Sequence, residues 1–132
     1  MSRPLRILVT GSRHWTDTET IASAIGDALT LAGIGLPVLV HGGAPGADTI
    51  ADDVWRSLIQ HGMDIAPPEV HPADWKQHGR AAGPIRNAHM VSLGATVCLA
   101  FPLGASPGTR GCMALAMAAG ISVRAFAPAV AA

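Results

Sequence analysis

Arg86 followed directly by Asn87 sets a guanidinium fork, able to clamp an anion through two parallel hydrogen bonds, beside an amide that can read a base or a ribose. Two glycine-bearing segments, Gly42-Gly43-Ala44-Pro45-Gly46 and Gly108-Thr109-Arg110-Gly111, have the composition of turns whose backbone N–H groups approach a phosphate without Cβ interference. A third, Thr10-Gly11-Ser12-Arg13, closes the first apolar run. Lys76, Arg80 and Arg110 add cations beside these segments, and Trp75 is the better of two aromatic candidates for stacking on a base, the other being Trp15. If the site turns over a glycosidic bond, Arg86 with Asp48 or Asp74 are the candidates, because a carboxylate activates water and stabilises a cationic sugar. Asp48 and Asp74 also have ordinary structural uses, binding helix N–H groups or ordering a turn.

These groups can converge only if the chain brings their segments to one edge. Short apolar runs at Leu5–Val9 and Pro37–His41 predict two buried strands, a weaker third is expected at Glu69–His71, and Thr96–Phe101 and Ile121–Phe126 supply a fourth and a fifth. Between them, apolar residues at helical spacing predict helices: Ile21 to Ala32 after a Thr16-Asp17 cap and before Gly33, Ile50 to Leu58, Pro84 to Leu93, and Gly111 to Ala119. A long polar loop is expected from Pro72 to Arg80. The alternation predicts an α/β fold: one Rossmann-like domain over residues 1–132, with a mostly parallel sheet of five or slightly more strands and helices on both faces. In such sheets ligands bind outside the carboxyl ends of the strands, where the three glycine segments would lie. Five of the nine cationic side chains, Arg13, Lys76, Arg80, Arg86 and Arg110, fall in or beside those loops, giving a neutral chain a basic rim.

Composition removes several function classes. Zero formal net charge makes a nucleic-acid partner relying on a basic face unexpected. No apolar stretch reaches about 18 residues, and the start of the chain lacks a cleavage signal, so a membrane association is not expected and the expected compartment is the cytoplasm. Cys98 and Cys112 have no metal-ligand spacing, and the six histidines are scattered, so neither a metal nor a separate cofactor is expected. Cys112, near a predicted helix start, is a candidate for a lowered thiol pKa. A 49% apolar content with only 14% charged residues leads us to expect a homodimer or higher homo-oligomer. The GxGxxG dinucleotide fingerprint and the GxxxxGK[ST] phosphate loop are both missing.

Taken in order, Thr10-Gly11-Ser12-Arg13, His41-Gly42-Gly43-Ala44-Pro45-Gly46-Ala47-Asp48, Ala73-Asp74-Trp75-Lys76 with Gly79 through Asn87, and Gly108-Thr109-Arg110-Gly111 resemble the YspA-like, cpYpsA-related branch of the SLOG superfamily. That superfamily also holds the lonely-guy phosphoribohydrolases and the SMF/DprA proteins. The resemblance runs from Ile7 to about Phe126 and implies a Rossmann-like fold that binds nucleotides or nucleotide-derived ligands, ADP-ribose or NAD-related ones among them. By motif it implies that Gly11, Ser12 and Arg13 line the first loop, Gly42, Gly43 and Gly46 the second, and Gly108 and Thr109 a phosphate-binding turn. Arg86 resembles the arginine that precedes the PGGxGT loop of the lonely-guy enzymes. Gly111 and Cys112 stand where those enzymes carry two glutamates, so the resemblance favours a sensing or sequestering module over a nucleotide N-glycosidic hydrolase. A protein-interaction or DNA-associated module is the third reading.

Overall fold

The computed structural model of the chain describes residues 3–129. Five strands, β1 (Arg6–Gly11), β2 (Val38–His41), β3 (Glu69–Val70), β4 (Val97–Phe101) and β5 (Ser122–Ala125), form one wholly parallel sheet in the order β3-β2-β1-β4-β5. The helices are α1 (Thr18–Ala28), α2 (Ala47–Gln60), the short α3 (Trp75–His78), α4 (Ala82–Ser92) and α5 (Pro107–Ala118), with a 3₁₀ turn at Gly79–Ala81 joining α3 to α4.

Both faces of the central strands β1, β2 and β4 are buried, and alternate residues divide between them. Ile7, Val9, Leu39, Leu99 and Phe101 pack with Ile21, Ile25, Ala51 and Trp55 of α1 and α2. Leu8, Val40 and Cys98 face the other way onto Met90, Val91, Cys112 and Ala116 of α4 and α5. This is why the strands read as unbroken apolar runs: a parallel strand covered on both sides has no polar face to interrupt it. Trp15 belongs to the first cluster, edge-on to Phe101 at 5.3 Å and with its indole N–H donated to the Asp17 carbonyl, so it is a core residue and not a stacking platform.

The segment expected as a polar loop from Pro72 to Arg80 contains α3 and the start of the 3₁₀ turn, and the bounds of α1 and α5 also differ from the sequence expectation. α1 begins after Asp17, whose carboxylate accepts the Thr20 N–H as expected for a cap, but it ends at Ala28, short of Gly33. There the Thr30 hydroxyl takes the Asp27 carbonyl, and Gly33 serves instead as a close approach, since a Cβ on it would lie 2.6 Å from the Leu5 nitrogen. α5 starts at Pro107 and not at Gly111, because proline suits the first helical position and the buried face of Cys112 and Ala116 outweighs the poor helix propensity of two glycines.

The edge strand β3 is held by charge. Arg6 donates two hydrogen bonds to Glu69, at 3.1 and 2.8 Å, and His71 lies 2.8 Å from the same carboxylate. These partners, the Arg6 hydrogen bonds foremost, pull the Glu69 pKa from 4.5 to about 2. The folded value is depressed, so the stabilisation is complete above pH 4.5 and is lost as pH falls towards 2. Thermal melts from pH 6 to pH 2 should therefore show a steeper acid loss for the native chain than for Glu69→Gln. Parallel curves would exclude Glu69 as a source of that loss.

Candidate functional site

The sheet order reverses between β1 and β4: β1 leads outward to β2 and β3, and the chain then crosses to the other side of β1 to form β4. A cleft of about 590 Å³ opens at the carboxyl ends of these two strands. It is walled by the segment after β1, the segment from Leu103 through Ser106 into α5, and the start of α4, with Trp75 and Arg80 at its mouth. A switch point of this kind is the general ligand site of open parallel sheets, and the volume suits a small organic ligand.

Three backbone hydrogen bonds and one side-chain bond fix the first wall. Ser12 N–H donates to the Phe101 carbonyl, the Ser12 carbonyl accepts from Trp15 and Ala47, and Ser12 Oγ accepts the His14 N–H. Gly11 is needed for packing, since a Cβ there would fall 2.4 Å from that of Ala47. The Arg13 guanidinium reaches over the Trp75 ring, 5.3 Å from its centroid, and the two exposed side chains together form an amphipathic rim.

The second wall is the first turn of α5. Pro107 has no N–H, and the first intrahelical-type bond is the Arg110 N–H to the Ser106 carbonyl, so the Gly108 and Thr109 amides have neither an intrahelical acceptor nor a side-chain cap. They open on the cleft at the positive end of the helix. Ser106 enters the turn at φ 38°, and its hydroxyl bonds both the N–H and the carbonyl of Leu103, which locks the approach. Arg110 turns away: its guanidinium binds the Ala105 and Gly104 carbonyls and tightens the loop without lining the cleft.

The glycine loop after β2 behaves differently from the expectation of an open amide cradle. Asp48 Oδ2 accepts the N–H of Gly42 at 3.1 Å and of Ala44 at 3.2 Å, and His41 Nδ1 accepts the N–H of Gly43 at 2.9 Å. That loop's amides are consumed by the protein. Because Nδ1 accepts, the imidazole proton sits on Nε2 and points to Asp52 Oδ2, 2.7 Å away. Gly46 sits behind the loop, against the backbone of Ser12 and Arg13.

Arg86 is likewise partly committed. Its Nη1 donates to the Gly42 carbonyl at 2.6 Å and the His71 carbonyl at 3.3 Å, and its Nε donates to Asn87 Oδ1 at 2.8 Å. Among the described residues only Nη2 lacks a partner, so the guanidinium offers the cleft one nitrogen and not a fork. Asn87 passes the connection on through a 3.4 Å contact from Nδ2 to the Gly108 carbonyl, joining α4 to the start of α5.

The structure thus brings Gly11, Ser12, Arg13, Asp48, Trp75, Arg80, Arg86, Asn87, Gly108 and Thr109 to one cleft. Gly42 and Gly43 border a smaller recess beside it. Asp74 caps α3, accepting the Gln77 N–H, and faces a separate shallow depression, while Lys76 is exposed on α3 away from the cleft. Asp48 is therefore the one carboxylate on the cleft lining among the described residues. Burial pushes its pKa up, against the opposing pull of His41, the Ala44 amide, Arg86 and the Gly42 amide. Burial equally lowers the Arg86 value, with Asp48 acting in the other direction.

Cys112 is not an activated thiol, since burial raises its pKa and drives that of Cys98 up to about 12. Among the described residues no group of three or more His, Cys, Asp or Glu side chains is placed to hold a metal, and no helix is long and apolar enough to cross a membrane. The sequence reading missed His14, Leu103, Ser106 and Pro107 on the cleft lining. The Ser106-Pro107 pair, a helix-start signature, is the signal that could have found the last two.

Comparison with known proteins agrees with this architecture. Gene 61 protein of Mycobacterium phage D29 is 53% identical over 118 residues, covering 89% of this chain and 93% of the relative. No solved structure matches the chain. The family model described as "YspA, cpYpsA-related SLOG family" matches residues 5–78, from β1 through α3, and the chain belongs to that family.

Proposed function

We propose that the protein binds a nucleotide or nucleotide-derived ligand, such as a nucleoside phosphate, ADP-ribose or an NAD-related molecule, in the β1/β4 cleft, as a sensing or sequestering module. The observation that carries this reading is the pair of Gly108 and Thr109 amides, without a partner among the described residues, opening on the same cleft as Arg13 and Arg80. A helix N-terminus with nearby guanidinium groups is an anion seat. The exposed indole of Trp75 at the mouth supplies a flat surface for a base.

Binding is preferred to hydrolysis. Glycosidic hydrolysis is ordinarily served by a pair of carboxylates, and Asp48 stands alone on the cleft lining among the described residues. Family membership supports a nucleotide-related ligand without naming one.

Calorimetric titration with AMP, ADP-ribose, NAD and cyclic nucleotides is expected to give saturable heat for at least one. Arg80→Ala, an exposed change that leaves the core untouched, should weaken that binding by roughly tenfold. Absence of heat for all four ligand types sinks the reading. Released base on chromatography would move it to a hydrolase.

A further inference from the structure

Asp48 Oδ1 is the only buried side-chain nitrogen or oxygen among the described residues that has no hydrogen-bond partner. Its carboxylate is nine-tenths buried on the lining of the cleft, and its other oxygen is held rigidly by the Gly42 and Ala44 amides. Buried polar atoms are almost always paired, so a lone acceptor fixed beside a ligand cleft marks a place for a donor. A phosphate cannot fill it, because two anions would meet away from water.

The surrounding contacts tie the cleft walls together. Gly108 and Thr109 stand on one wall, and Asn87 bonds the Gly108 carbonyl and Arg86. Arg86 bonds Gly42, whose N–H binds Asp48. Arg13 and Trp75 share the adjoining recess with Arg86. The Gly108 and Thr109 amides, Asp48 and Trp75 thus line one cleft. A 5′-nucleotide carries groups to match each of them: a phosphate, ribose hydroxyl donors and a base.

Resting on the nucleotide reading above, we propose that Asp48 is a specificity-determining residue whose Oδ1 accepts a ribose hydroxyl, so that the cleft selects ribonucleotides over deoxyribonucleotides. Sites built to pair with a ligand hydroxyl penalise the analogue lacking it, because the buried acceptor is then left unpaired.

The test is calorimetric titration of the full chain with AMP, 2′-deoxy-AMP and 3′-deoxy-AMP, repeated on Asp48→Asn. The native chain should bind one of the deoxy compounds roughly 10- to 100-fold more weakly than AMP. In Asp48→Asn the amide oxygen must serve the two loop N–H groups, turning the amide nitrogen towards the ligand. The hydroxyl oxygen can accept from that amide, so the preference should shrink and not vanish, a neutral hydrogen bond replacing a charge-assisted one. Equal binding of all three by the native chain overturns this inference and leaves the nucleotide reading standing. No binding of any of them or of the other nucleotides overturns both. The comparison among ligands uses the native chain, so the result survives if Asp48→Asn does not fold.

Discussion

Gly46→Ala is expected to lower the unfolding free energy by about 3 kcal/mol or more, a large loss for the addition of one methyl group. Two costs add at this position. Gly46 has φ 77° and ψ −122°, a conformation open essentially to glycine alone. A Cβ built there lies 2.4 Å from the Ser12 carbonyl oxygen and 2.5 Å from both the carbonyl carbon and oxygen of Arg13. All three are backbone atoms and cannot rotate aside. They also belong to the segment that Ala47 N–H ties to Ser12 at 3.1 Å, so relief would detach α2 from the end of β1. Gly62 separates the two costs: its φ is 93°, yet a Cβ there meets nothing within 4 Å. Gly62→Ala should therefore cost only about 1 kcal/mol, from backbone strain alone. Urea unfolding of both variants gives the comparison, and equal midpoints would show that the contact with Ser12 and Arg13 relaxes freely.

The sheet was legible because parallel strands buried on both faces announce themselves as apolar runs ended by glycine or proline, as at Leu5–Val9 and Thr96–Phe101. From that alternation followed the location of the rim, since the carboxyl ends of β1 and β4 must lie together. The start of α5 was not legible in the same way: Gly108 and Gly111 have the composition of a loop, and only the packing of Cys112 and Ala116 against Leu8 and Cys98 makes the segment helical. The site divided similarly. Its residue types were visible, but their assignments depend on partners distant in sequence. Nothing local shows that Arg86 spends Nη1 on a carbonyl 44 residues earlier, or that Asp48 and His41 take the amides of the glycine loop. A glycine-rich segment shows that a backbone is open to approach, without showing whether the approaching group is a ligand or the protein's own side chain.

At Gly42 the approaching group is Arg86, and this gives a second large expected effect, on binding more than on folding. A Cβ on Gly42 would lie 2.1 Å from Arg86 Nη1 and 2.5 Å from Cζ, so the guanidinium could not remain where it is. The obstructing atoms end a flexible side chain, and Gly42 is not among the positive-φ glycines, so Gly42→Ala should displace Arg86 at a folding cost of about 2 kcal/mol, that of the hydrogen bonds the guanidinium gives up. Arg86→Ala removes the same group outright and leaves the Gly42 carbonyl and Asn87 Oδ1 without their donor, costing about 2 kcal/mol in this half-buried position. If Arg86 acts by holding Asn87, and through it the first turn of α5, both variants should weaken AMP binding by roughly 10- to 100-fold, and the double variant should be no weaker than the worse single one. Lysine in place of Arg86 should not restore affinity, because a single ammonium cannot serve Gly42 and Asn87 in the same plane. Calorimetric titration of the three single variants and the double decides the matter. Additive losses from Gly42→Ala and Arg86→Ala would show that the two residues affect the cleft separately, and full binding by Gly42→Ala would show that the placement of Arg86 against the β2 loop is immaterial to the ligand.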